Sequence, residues 1–344
     1  MPKLTIENIK KIYPGFSLSV EKLECENGEF MTILGPSGSG KTTLLRIIAG
    51  LVKQDEGRIL VGGNDISSLE PEKRRMGMVF QEARLFPNMT LKENVSFGMK
   101  MQGVPQKIRT ERSAKILKRI GMEGMDNKKP YQLSGGQQKR AAVARALLYR
   151  KDLLLMDEPL SELDPNLRRE MRRFVKDMHE EYGFTAVLVT HDREEAFELS
   201  DRIAVMRNGE IVEESIKDKL YKRPKTIYTA RFLGERNLFE YEAKQGGILV
   251  GEFLIQIKGE EEKGWVMIPE RAVCFQKPES GIEGFLKIQA KVLKTDDLRT
   301  GQELVLDTGI GHIHASNYGF SDICPGQILT VFIDKNALHF LRKG

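Results

Sequence analysis

Over residues 1–34 apolar and polar side chains alternate with a period of two. LTIENIKKIY and FSLSVEKLEC therefore predict half-buried strands, Asn27-Gly28 a turn, and the apolar run FMTIL a buried strand. From Gly40 to about Leu51 the period lengthens, with Leu44, Leu45, Ile48 and Leu51 on one helical face. GRILVGG and MGMVF return to short strands. From Leu91 to about Leu148 the spacing is helical, punctuated by Gly103, Pro105, Gly121 and Pro130. LLLMDEP is an apolar run ending in two acids, as a buried parallel strand would. A helix over 166–182, a strand TAVLVT, a helix over 193–199 and a hairpin IAVMRNGEIVE follow. Strands that alternate with helices predict an α/β fold, an open and mostly parallel sheet covered on both faces.

After about Asn237 the pattern changes. EYEAKQGGILVGEFLIQIKG, WVMIP, FLKIQAKVLKT, ELVLDTG and ILTVFID are short alternating runs separated by Gly, Asp and Pro. They predict an all-β sandwich or small barrel, with a boundary near Gly234–Asn237. The length agrees, since 344 residues exceed the roughly 100–200 expected of one domain.

Composition narrows the setting. The apolar share of 40% implies a full core, and no apolar run approaches the ~18–20 residues that span a bilayer. The N-terminus, MPKLTIENIKKIYPG, lacks a signal-peptide pattern. Cys25, Cys274 and Cys324 form no CxxC and predict neither a disulfide framework nor a zinc site. A cytosolic chain is expected. The net charge of +5 is uneven, with Lys and Arg in excess between Lys92 and Arg150. Such a stripe can meet nucleic acid or an anionic membrane surface. Without an aromatic-rich β platform beside it, a solvated helical face is the better reading.

GPSGSGKT (Gly35, Pro36, Ser37, Gly38, Ser39, Gly40, Lys41, Thr42) fits G-x-x-x-x-G-K-[ST] in full and sits between the strand FMTIL and the helix TTLLRIIAGL, which starts at Thr42-Thr43. Glycines turn backbone N–H groups toward phosphate oxygens, and the helix N-terminus adds positive potential. Lys41 would neutralise the β/γ-phosphates and Thr42 would ligate Mg2+. LLLMDEP supplies the acids: Asp157 can hold the Mg2+ hydration shell, and Glu158 is the candidate for polarising the attacking water. His312 and His314 alternate on one strand face as metal ligands do, but with no third ligand in view a surface strand is expected.

QLSGGQQKR (132–140) poses a different problem. Ser134 and Gln137 fit a capping box, so the loop begins the helix QQKRAAVARALL. Ser134, Gly135 and Gly136 at a helix start also present N–H donors to an anion, yet no lysine accompanies them. Capping alone and added phosphate donors both remain open at this level.

LSGGQ before LLLMDEP and after GPSGSGKT resembles the signature of ATP-binding cassette (ABC) ATPases. Further elements fall in the family's order. Gln81 in MGMVFQEARLFPNMT resembles the Q-loop glutamine, Ser161-Glu162-Leu163-Asp164 the D-loop, and His191 in LVTHDREEAF the switch histidine. Tyr13 resembles the aromatic that stacks on adenine, with Phe16 the substitute. The resemblance covers about residues 3–235. It implies a P-loop NTPase fold over 1–235, a RecA-like core with an antiparallel β subdomain and a helical subdomain at about 91–150. Its implied function is ATP binding and hydrolysis in a head-to-tail dimer, in which Ser134, Gly135, Gly136 and Gln137 meet the nucleotide held by the partner's P-loop. Asp164 would connect the subunits, Gln81 would sense Mg2+ and water, and His191 would contact the γ-phosphate beside Glu158.

Two positions depart from the family pattern. Glu162 stands where a small or amide residue is usual and adds charge near the interface, and Gln138-Lys139-Arg140 replaces Gln-Gln-Arg. RFLGERNLF, VMIPERAV and the β-rich stretch to Phe340 resemble the accessory TOBE domain, an OB-like barrel over 236–344, of importer ATPases. That resemblance implies a peripheral subunit at the cytoplasmic face of the membrane, with residues 84–89 and the helices after them docked on separate permeases fed by an extracytoplasmic binding protein. The short tail is closer to the ion and polyamine branch, with sugar cargo the alternative. A soluble ABC ATPase acting on nucleic acid is a different class. It is disfavoured because neither inserted coiled coils nor a second cassette is present. A ligand-binding sensor role for the β domain is compatible with import.

Overall fold

The computed structural model describes residues 3–149, 153–259, 261–276, 284–298, 300–318 and 322–343; Arg150, where the basic and helical stretch ends, lies outside them. The chain divides into two compact units, residues 1–217 and 218–344.

In the first unit the strands β1 (Leu4–Tyr13), β2 (Phe16–Cys25), β3 (Phe30–Leu34), β4 (Glu56–Val61), β5 (Asn64–Asp65), β6 (Gly77–Val79), β7 (Leu153–Asp157), β8 (Thr185–Thr190), β9 (Arg202–Arg207) and β10 (Glu210–Ile216) form two sheets. One is antiparallel, in the order β2-β1-β4-β5. The other runs β10-β9-β3-β8-β7-β6 and is parallel except for β10. Among the described residues the helices α1 (Lys41–Ala49), α2 (Leu91–Met101), α3 (Gln106–Arg119), α4 (Gly135–Leu148), α5 (Pro165–Tyr182) and α6 (Arg193–Leu199) accompany them.

Every residue of β3, β7 and β8 is buried, because both faces of the parallel sheet are covered. The period of two sorts these side chains between two cores. Met31, Ile33, Leu153, Leu155, Val187 and Val189 join α1 and the antiparallel sheet. Phe30, Leu154, Met156, Ala186 and Leu188 join α2, α3, α4 and α5. Each buried Val, Leu, Ile, Met or Phe side chain contributes about 1.5–3 kcal/mol by leaving water. The helix α1 stops at Ala49, short of the expected Leu51. Gly50 turns left-handed (φ 79°) there, and the N–H groups of Gly50 and Leu51 donate back to Ile47 and Arg46.

The second unit contains all but the first residue of α7 (Lys217–Lys222), α8 (Ile227–Leu233) and the strands β11 (Leu238–Lys244), β12 (Gly247–Val250), β13 (Phe253–Ile255), β14 (Lys263–Met267), β15 (Val273–Cys274), β16 (Phe285–Leu298), β17 (Gly301–Thr308), β18 (Gly311–Asn317), β19 (Ile328–Asp334) and β20 (His339–Leu341). Two antiparallel sheets, β13-β12-β11-β14-β20 and β15-β19-β16-β17-β18, share one core that includes Ile248, Val266, Ile288, Leu304 and Val331. Asn237 ties them: its amide donates to the His314 carbonyl and accepts from the His314 N–H, both at 2.7 Å. The division falls earlier than the change of pattern near Gly234 because α8 belongs to this unit. Ala230 packs with Met267 and Leu341, and Thr226 bridges to Arg342. His312 is exposed on β18, 3.7 Å from Asp307, and the described residues contain no group of three His, Cys, Asp or Glu placed to hold a metal.

Candidate functional site

The strand order decides which loops meet. In β9-β3-β8-β7-β6 the parallel strands end side by side, with Leu34 opposite Thr190 and Val205, and Asp157 opposite Val189. The P-loop after β3, His191 after β8, Glu158 after β7 and Gln81 after β6 therefore share the carboxyl edge of one sheet, where open α/β sheets bind ligands.

The P-loop is tightly built. A Cβ on Gly35 would lie 2.4 Å from the Met206 carbonyl oxygen, and one on Gly40 (φ 103°) 2.8 Å from the Phe16 ring. Pro36, Ser37 and Gly38 form an exposed rim, while Ser39 is buried with an Oγ that has no hydrogen-bond partner among the described residues. Lys41 is 4% exposed and donates to the carbonyls of Gly35 (2.9 Å) and Pro36 (2.8 Å). Burial pulls its pKa down, against the pull of Glu158 and Asp157. Thr42 Oγ1 donates to Asp157 Oδ1 at 2.8 Å, and burial raises the Asp157 pKa despite that bond. Thr43 is half-buried in the first turn of α1. An orphaned hydroxyl, a desolvated ammonium and paired hard-oxygen donors fit a Mg2+–nucleotide phosphate.

Glu158 takes a left-handed conformation (φ 44°), unusual for a residue with a side chain. Its N–H donates to Val189 O (3.0 Å), which continues the ladder one residue past the strand and turns the side chain inward. His191 Nδ1 lies 3.1 Å from Glu158 Oε1, so the two candidates for water activation and phosphate contact touch directly. Gln81 is exposed, two residues past Val79, and Val79 is paired with Met156 in the sheet. Tyr13 ends β1, 38% exposed and paired in register with Phe16, while Phe16 is the aromatic that abuts Gly40.

The LSGGQ stretch lies elsewhere in the chain. Ser134 caps α4, accepting from Gln137 N–H (3.3 Å), while Gln137 Oε1 accepts from Ser134 N–H (3.0 Å). Ser134 and Gly135 are exposed, and a Cβ on Gly135 would meet nothing within 4 Å. The main neighbours of α4 are α2, α3 and β6, whereas α1 leans on β7 and β8. Asp164 caps α5, accepting from Leu167 N–H at 3.0 Å. The two departures from the family pattern meet each other: Lys139 Nζ is 2.9 Å from Glu162 Oε2.

Some functional surroundings were not legible. Arg168 donates to Leu163 O (2.9 Å) and lies 3.5 Å from Asp192, bracing the loop after Glu158 against the loop of His191. Glu195 is 2% exposed and accepts from Thr190 Oγ1, directly before His191. Only its spacing from Leu199 on α6 hints that it faces inward. Burial raises its pKa from 4.5 to about 7. The neutral form is favoured in the fold, so its stabilising contribution is complete below about pH 4.5 and lost as pH rises through about 7. Glu195→Gln should flatten this dependence. Its stability relative to the parent should rise by up to about 3 kcal/mol between about pH 5 and pH 8.5. Urea midpoints across that range check it, and parallel pH curves for both proteins would refute it.

The ABC transporter family matches residues 18–161. Over 349 residues, 99% of this chain and 96% of the relative, the chain is 36% identical to the spermidine/putrescine import ATP-binding protein PotA of Acetivibrio thermocellus. The chain belongs to the ABC transporter family and is an ATP hydrolase of the ABC type. Among particular relatives, it is 43% identical over 261 residues (76% of this chain, 73% of the relative) to the Fe(3+) ions import ATP-binding protein FbpC of Rhizobium etli. It is 45% identical over 240 residues (70% and 64%) to PotA of Haemophilus influenzae. Among solved structures it resembles a dimeric bacterial ABC transporter cassette, 33% identical with a TM-score of 0.57, over 62% of this chain and 98% of that one.

Proposed function

We propose that this chain is the ATP-hydrolysing subunit of an importer, working as a head-to-tail dimer on separate membrane permeases. The contact between Glu158 and His191 at the edge that also holds the P-loop carries the reading. Lys41 binds and orients the phosphates, and Thr42, Gln81 and water held by Asp157 take Mg2+, which when bound neutralises phosphate charge. Glu158 accepts a proton from the attacking water while His191 holds the γ-phosphate and the Glu158 side chain together. Tyr13 stacks on adenine with Phe16 beside it. The partner's Ser134, Gly135, Gly136 and Gln137 close the site, with Asp164 at the seam. Catalysis on this plan is chiefly positioning and electrostatics.

A groove supports the permease. It measures about 320 Å³ and is lined by Met76, Phe80, Phe86, Phe97, Met101 and Arg145. Phe86 and Met101 are exposed, and the Arg145 guanidinium, 5.2 Å over the Phe86 ring, is partly desolvated, with its pKa lowered by burial. An apolar groove with one desolvated cation suits a short amphipathic helix that carries a carboxylate. No helix among the described residues is long and apolar enough to cross a membrane; the importer relatives support a peripheral place at the cytoplasmic face. Relatives named for Fe(3+) and for spermidine/putrescine support an ion or polyamine cargo over a sugar, delivered by an extracytoplasmic binding protein.

Co-expression with the permease genes tests the reading. The chain should co-purify with them, and cargo-loaded binding protein should raise ATPase activity in vesicles. Phe86→Asp should abolish co-purification and leave the ATPase of the isolated chain within about twofold, since the Phe86 ring meets Phe97 and Arg145 in the groove and no residue assigned to phosphate or water. Stimulation by duplex or ribosomal RNA instead would replace this conclusion.

A further inference from the structure

One buried ammonium holds the segment that follows Glu158. Lys139, in the second turn of α4, is 5% exposed. All three of its donors are used: on Ser161 O (2.5 Å), on Ser161 Oγ (3.1 Å) and on Glu162 Oε2 (2.9 Å). Ser161 passes the link on, since its Oγ and its N–H both donate to the Glu158 carbonyl, at 2.9 and 3.3 Å. Glu158 (φ 44°) and Glu162 (φ 67°), on either side of this knot, are both left-handed. Residues with side chains keep that conformation only where their surroundings impose it.

Other anchors flank this stretch on either side. Leu160 and Leu163 are buried in the core shared with α4, and Arg168 takes the Leu163 carbonyl. Glu162 adds the negative charge that a buried lysine needs, which accounts for both departures at once.

We propose that Lys139 is a positioning residue for hydrolysis: through Ser161 it sets the Glu158 backbone, and so aims the carboxylate that meets His191. The inference rests on the role of Glu158 proposed above. It concerns rate and not nucleotide affinity, because Lys139 contacts no P-loop residue in the hydrogen bonds and ion pairs of the described residues.

Steady-state and single-turnover ATP hydrolysis test it. Lys139→Met keeps the length and removes the donors. It should lower kcat about 10- to 100-fold while KM for ATP stays within about twofold. In a Glu158→Gln background the same change should cost nothing further, because both act through one group. Ser161→Ala, which removes only the hydroxyl relay, should lower kcat about threefold or more and serves if Lys139→Met does not fold. Unchanged kcat in Lys139→Met or in Ser161→Ala overturns the inference. So does an undiminished further loss from Lys139→Met in the Glu158→Gln background, which would mark a role independent of Glu158. A fully active Glu158→Gln protein would instead remove the assignment of Glu158 itself.

Discussion

Glu158→Gln is expected to lower steady-state ATP hydrolysis by about 10²–10⁴-fold, the range for losing a positioned general base. ATP binding should survive. The amide keeps the length of the side chain and can still face His191 Nδ1, now 3.1 Å from Oε1, so the site keeps its shape. What it loses is the ability to take a proton from water. Lys41, Thr42 and the P-loop backbone are untouched, so the nucleotide should still draw two chains together, and the dimer should accumulate because it cannot turn over. Phosphate release and ATP-dependent size exclusion measure the two halves of this result. Normal turnover in the variant would dismiss Glu158 as the base, and loss of nucleotide binding would show that it acts on affinity.

Ser134→Arg should stop hydrolysis and leave ATP binding by the separate chain nearly unchanged. Ser134 is exposed, and within its own chain it caps α4, whose main neighbours exclude α1 and the P-loop. Losing that cap costs about 1 kcal/mol of helix stability, too little to unfold the domain. Ser134→Thr keeps the cap and is the control. The two-chain site proposed above also predicts complementation between two defective chains. Lys41→Ala and Ser134→Arg should each fail to form an ATP-dependent dimer, yet their mixture should form one. One chain then supplies an intact P-loop and the other an intact LSGGQ. Crosslinking of differently tagged chains reads this out, and a mixture as inert as its parts would place LSGGQ outside the nucleotide site.

How much the sequence disclosed depended on whether a signal was local. The strands LTIENIKKIY, FMTIL and TAVLVT and the helices over 166–182 and 193–199 appear where alternation and helical spacing placed them, because burial on one or two faces writes a period into the chain. The capping box at Ser134 and Gln137 is there for the same reason: its two bonds span three residues. The segment 217–233 carried too short a pattern to assign, and its second helix, α8, packs with the β-rich unit through Met267, Leu341 and Arg342, partners distant in sequence. Lys139 and Glu162 stood in the sequence as two separate oddities, and nothing in their spacing joins them.

The sequence by itself determined most of the elements, the P-loop pattern and the order of motifs, since these rest on propensity, periodicity and residues a few positions apart. Only the tertiary structure decided which of them meet. Parallel pairing puts Leu34 beside Thr190 and Asp157 beside Val189, and so brings His191 to Glu158 across thirty-three residues of chain. The same packing sends α4 to the other side of the sheet from α1 and leaves Ser134 and Gly135 of LSGGQ exposed. The physical reason is that strand order and helix packing minimise the free energy of the whole fold, a sum over long-range contacts that no local window of sequence contains.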